Sequence, residues 1–202
     1  MADVIGVFAT FARIRVADWD GLLAAKPGSE SALAKSFWHY SRALSFRGKN
    51  DSRQAQGEQK EFQTLAAKLD RNIPWGNNKL GEILDLANSA LEARLESTPM
   101  AAISKWRKAV DIQDRLVYDE PPAWYYPVRE SLGAALLRSG DAAGAEAVFR
   151  EGLRRSPRNG RMLFGLLESL KAQNKSEAAV WVDREFQAAW KGADVRLRVD
   201  DL

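Results

Sequence analysis

Few side chains in this sequence could do chemistry, and their spacing decides most of what they can do. His39 is the single histidine. Imidazole titrates near neutral pH, so His39 is a candidate general base or ligand. No Asp or Glu lies within a helical turn to orient the ring, and a packed or helix-capping imidazole is the preferred reading. Arg150, Arg154, Arg155, Arg158 and Arg161 crowd one short stretch and could hold phosphate or an acidic peptide. Glu146 and Glu151 are near enough to neutralise part of that charge, and arginines late in a helix are favoured there anyway. Aromatics are not interleaved with these arginines, which disfavours nucleic acid. The acid pairs Asp119-Glu120 and Asp200-Asp201 fall in a turn and a tail, without partners to hold them in a dry cleft. Cysteine is absent, which excludes disulfides, thiolate nucleophiles and cysteine-bound zinc. The sequence contains no glycine-rich phosphate loop, no G-x-S-x-G elbow and no H-E-x-x-H helix. The expectation is a non-enzymatic protein with no catalytic residue, no cofactor and no metal.

The 202 residues suffice for one globular domain or one short solenoid, and an apolar share of 46% with 28% charged residues suits a folded, water-facing chain. A net charge of +3 is weak support for an anionic partner. No apolar run reaches the ~20 residues that a membrane-spanning helix needs. The apolar segment 4–12 lacks a preceding basic residue and carries Asp3 at its head, unlike a signal peptide. No membrane association and a cytoplasmic location are expected.

The elements that would position any site are clearest between Tyr126 and Pro157. Leu132, Gly133, Leu136 and Leu137 line one face of a first short helix. Ser139-Gly140-Asp141 breaks it, since glycine accepts positive φ and Asp141 can cap the next helix. Ala145, Val148, Phe149 and Leu153 form the stripe of that second helix, which Pro157 stops. Small Gly133 and Ala145 sit where the two helices would cross. In its L-G, hydrophobic, G, A, F and P positions this stretch closely resembles a tetratricopeptide repeat. Ala145 and Ala179, Leu132 and Leu166, Leu136 and Leu170, and Gly140 and Asn174 each lie 34 positions apart, that family's period. Arg129 stands where the family usually has an aromatic, and Gly152 where it usually has alanine.

The resemblance implies an all-α chain, a right-handed α-solenoid of stacked helix-turn-helix hairpins forming one domain over 1–202. A degenerate hairpin covers about 1–27, further hairpins cover 29–70, 79–114, 123–157 and 159–191, and 192–202 is a charged, mobile tail. Ser29 or Ser31 can cap the 29–70 hairpin, and Thr98-Pro99 supplies an N-cap and a first-turn proline. The first helix carries Val4, Ile5, Val7, Phe8, Phe11 and Ile14, an apolar arc wider than one buried face needs. It suggests a homodimer through that helix, or a preceding part of a longer protein. Residues 71–78 form a turn-rich connector. In the connector 118–127, the aromatics Trp124, Tyr125 and Tyr126 could form a peptide-docking ledge, although a staple filling the junction between hairpins is preferred.

First helices of such hairpins line a concave groove that binds extended or helical peptides. By helical phase, the groove-facing candidates are Tyr40, Asn88, Leu91, Arg94, Glu130, Arg138, Arg161, Glu168 and Lys171, with Trp124 added from the ledge. The family's carboxylate clamp is incomplete, because Asn88 matches in type only. The implied function is a protein–protein interaction scaffold for a peptide or protein segment. The alternative is a docking or regulatory portion of a larger enzyme or of a secretion or assembly complex.

Overall fold

The computed structural model describes residues 2–202, and within them ten α-helices carry the fold. The single sheet among the described residues is a two-residue-a-side antiparallel hairpin. None of these helices is long and apolar enough to cross a membrane. The all-α expectation holds. The chain divides into two compact units. One holds the residues up to Glu96 with Asp111–Tyr126, and the other holds Ser97–Val110 with Pro127–Leu202. The hairpin expected over 79–114 therefore has residues in both.

The first unit contains α1 (Ala2–Arg15), α2 (Trp19–Ala24), α3 (Ala32–Gly48), α4 (Ser52–Ala66), β1 (Pro74–Trp75), β2 (Asn78–Lys79) and α5 (Leu80–Leu95). Helix α6 (Pro99–Arg115) has residues in each unit. The second unit continues with α7 (Arg129–Arg138), α8 (Ala142–Arg155), α9 (Gly160–Ala172), α10 (Ser176–Ala189) and a 3-10 turn at Val199–Asp201.

Local chemistry sets the ends of these helices. Asp18, Ser31, Asp51, Asp141 and Asn159 each accept a backbone N–H from the first turn they precede, at 2.8–3.1 Å. Thr98 accepts from Ala101 N–H at 3.4 Å. Three hairpins close with one and the same turn. Asn50, Gly140 and Asn174 take positive φ of 62°, 87° and 58°. In each, that residue's N–H and the next one's bond back to the helix: Asn50 to Arg47 and Asp51 to Phe46, Gly140 to Leu137 and Asp141 to Leu136, Asn174 to Lys171 and Lys175 to Leu170. This is the Schellman closure, which satisfies carbonyls that a helix end leaves open.

Aromatic side chains build the core of the first unit. Phe37 contacts Phe11, Tyr40, Phe62 and Trp75 at centroid distances of 5.5–6.2 Å. Phe11 stacks on Tyr125 at 4.5 Å and meets Trp124 edge-on at 5.0 Å. Each such pair is worth about 0.5–1.5 kcal/mol beyond the area it buries. Val7, Phe11 and Ile14 are buried, so α1 spends most of its wide apolar arc inside its own chain, and Ile5 stays 66% exposed. Val4 and Phe8 of the same arc are half-buried.

The connector over 71–78 is more than a turn. Its two short strands set Trp75, 1% exposed, into the core, with Gly76 at φ 59° in the loop between them. Asn78 exchanges two hydrogen bonds with the Val117 backbone, and Asn77 N–H donates to Asp119 Oδ2 at 2.8 Å. Trp75 Nε1 donates to the Ala123 carbonyl at 3.1 Å. Residues some 40 positions apart are thereby latched together.

In the second unit α7 packs on α8, α8 on α9 and α9 on α10, while α7 also touches α9. Phe149 of α8 is fully buried, and its ring tip lies against Gly133 of α7 and Gly165 of α9. Gly152 gives the Met162 side chain its room in the same way. Stretch 192–202, expected to be mobile, is instead anchored. Leu197 and Leu202 are buried, the 3-10 turn contacts α7, and Trp190 Nε1 donates to the Val195 carbonyl at 2.8 Å.

Candidate functional site

The expected groove residues divide between the two units. Tyr40, Asn88, Leu91, Arg94 and Trp124 belong to the first. Tyr40, Leu91 and Trp124 are buried at 1%, 0% and 3% exposure. The three are core, and a peptide at the surface does not reach them. Trp124 seats on Phe11 of α1 and Tyr40 of α3. The hydroxyls respond to this burial. Desolvation pushes the Tyr125 phenol far above its ordinary value, and Tyr40 likewise. Asn88 remains at the surface, accepting from Gln63 at 2.9 Å and donating to Glu92 at 2.8 Å. The Arg94 carbonyl accepts from Arg47 Nε at 3.1 Å.

The remaining candidates lie in the second unit. Glu130 is fully buried and accepts from Asn159 Nδ2 at 3.2 Å, so it supports the α7–α9 neighbourhood and does not face a groove. Glu168 and Lys171 pair with each other on α9 at 2.8 Å. Arg138 and Arg161 are brought together by the 192–202 stretch, whose charge had suggested a solvated tail. Arg138 Nη1 lies 3.5 Å from Asp200 Oδ1, and Arg161 Nη1 donates to the Asp201 carbonyl at 2.6 Å. Next to them Leu202 is 1% exposed. Burial alone would raise the Asp201 carboxyl, but the Arg198 side chain and backbone N–H bind it and hold it below the ordinary carboxylate range. A short peptide-like stretch is thus held by Arg138 of α7 through a side chain and by Arg161 of α9 through a main-chain carbonyl, with a buried leucine beside them. The signal in the sequence was the pair of leucines, Leu197 and Leu202, inside a run otherwise dominated by charge.

The arginine-rich turn is largely neutralised by neighbours. Arg150 bonds Glu146 at 2.8 Å, Arg155 bonds Glu151 at 3.0 Å, and Arg154 also pairs with Glu151. Lys175 reaches Glu146 at 2.7 Å and Gln173 donates to it at 2.8 Å. Lys175, with Arg150 and Gln173, holds the Glu146 carboxyl down to about 2. An open hollow of ≈ 380 Å³ lies here, lined by Arg150, Leu153, Arg154 and Leu166.

His39 has an acid partner that sequence proximity did not reveal. Glu58, on the facing helix α4, takes His39 Nδ1 at 2.6 Å and Arg42 Nε at 2.7 Å. The Arg42 guanidinium lies over Trp38 at 4.7 Å and donates to the Leu23 carbonyl. The His39, Arg42 and Glu58 side chains are 12–20% exposed. Chemically the cluster neutralises charge across the α3–α4 interface, in line with a packed imidazole. Among the described residues no group of three or more His, Asp or Glu is placed to hold a metal ion.

Compared with protein-family models, with curated proteins and with solved structures, the chain matches none. The tetratricopeptide reading rests on its own residues and geometry.

Proposed function

We propose that the chain is a non-enzymatic protein-interaction scaffold of the tetratricopeptide type, with α7–α8 and α9–α10 as successive hairpins of a right-handed α-solenoid. Three features support this reading: the 34-residue spacing of Gly140 and Asn174, the identical closure at both turns, and Phe149 lodged against a glycine in each neighbouring first helix. The observation that carries the function is the stretch 198–202 held between Arg138 of α7 and Arg161 of α9, as a groove grips a peptide. The partner is a polypeptide segment.

An affinity capture with the wild-type chain and an Arg138→Glu, Arg161→Glu double variant tests this. Quantified proteins bound by the wild type should be lost from the variant at unchanged helical circular dichroism. Equal recovery by both would remove the assignment.

A further inference from the structure

Resting on that reading, we propose that the stretch 197–202 is a self-bound ligand of Arg138 on α7 and Arg161 on α9, and that the partner is a segment with an acid two positions before an apolar residue, which displaces it. Each part of the self-bound stretch reports one requirement. Asp200 answers the charge of Arg138 at 3.5 Å. The Asp201 main-chain carbonyl receives Arg161 at 2.6 Å, so the backbone register is read as well as the side chains. Leu202 is buried, at 1% exposure. The Asp201 carboxylate folds back on the Arg198 N–H at 2.8 Å and on its guanidinium at 3.0 Å, which shapes the turn before any contact with α7.

The same geometry shows why this stretch can leave. Its regular structure is one three-residue 3-10 turn, and it takes no part in strand pairing. The Asp200–Arg138 pair is at the surface, with Asp200 74% exposed, so a competing acid can reach Arg138. A tethered segment meets its seat at an effective concentration of about 1 mM or more. Against a free-segment Kd of about 100 µM, that tether weakens an external competitor by about tenfold.

The test uses the full chain and a fluorescein-labelled, C-terminally amidated peptide with the sequence of residues 195–202, read by fluorescence anisotropy. Leu202→Asp removes the buried leucine side chain and keeps both arginines. The peptide should bind that variant about tenfold tighter than wild type, and adding Arg161→Glu should remove the gain. Asp200→Lys, at an exposed position, should also tighten peptide binding, and it serves if Leu202→Asp disturbs folding. A peptide with lysine in place of both acids should not bind. Equal Kd for wild type and both tail variants, or equal binding of the lysine peptide, would overturn the inference. If no variant binds the peptide while captured proteins are still lost on Arg138→Glu, Arg161→Glu, the self-ligand is refuted and the scaffold reading survives. If that loss also fails, the scaffold reading falls too.

Discussion

Replacing Gly133 by alanine places a methyl group where the ring of Phe149 already is. A Cβ on Gly133 would approach Phe149 Cε1 to 2.7 Å, and a Cβ on Gly165 would approach Cε2 to 2.7 Å. Carbon atoms attract best at about 3.5–4.0 Å, so the ring tip must retreat by about 1 Å. Phe149 is fully buried, and the Gly165 backbone limits its retreat. Such overpacking costs about 1–3 kcal/mol. Glycine to alanine inside a helix returns about 0.5–1 kcal/mol through propensity. The net expectation for Gly133→Ala is a loss of about 0.5–2 kcal/mol. In a Phe149→Leu background the ring tip is gone and only the propensity gain remains, so the same alanine should then stabilise. Urea unfolding of the four chains, followed by helical circular dichroism, closes the cycle. A coupling energy of about 1–3 kcal/mol is expected, and contributions from the rest of the chain cancel in the differences. If Gly133→Ala is equally harmful in both backgrounds, or stabilises the wild type, the glycine is not there for the ring.

Two further outcomes concern a helix interior and a paired acid. Gly57, inside α4, would bring a Cβ into open space, so Gly57→Ala should stabilise by about 0.5–1 kcal/mol, and an unchanged or lowered urea midpoint would contradict it. Glu146 has a folded pKa of about 2 against an ordinary 4.5, so its stabilisation is present above pH ~4.5 and is lost as pH falls towards 2. The full shift corresponds to about 3 kcal/mol, but Arg150 and Lys175 are 52% and 48% exposed, and screening reduces the net effect to about 1 kcal/mol. Glu146→Gln should be less stable than wild type near neutral pH and equal to it near pH 2. Parallel stability curves for the two chains would refute the linkage.

What could be read in advance was local. Helix ends at Ser31, Thr98, Asp141 and Asn159 arise from side chains that cap their own neighbours, and the turns at Gly140 and Asn174 arise from residues that tolerate positive φ. What could not be read was which distant surfaces meet. Glu58 is 19 positions from His39 and reaches it only because the turn at Asn50 sets the register of the facing helices. Trp124 was recognisable as a filler, yet nothing in its neighbourhood says that it fills a space between Phe11 and Tyr40. Residues 192–202 looked like a solvated run because charge dominates their composition, while the burial of two leucines depends on a helix more than 50 positions earlier. Tyr40 was placed in a groove by helical phase, which tells which residues share a face but not whether that face is covered.

The latch that ties residues 75–78 to residues 117–123 has a consequence for how this protein is born. Tyr40 and Trp124 share the same core but are 84 positions apart in the order of synthesis. At about 5–20 residues per second, Tyr40 of α3 leaves the ribosome about 4–17 s before the segment that shields it. Throughout that interval the nascent chain carries a sticky, unfinished surface, and the cell's holding chaperones have their longest opportunity to bind it.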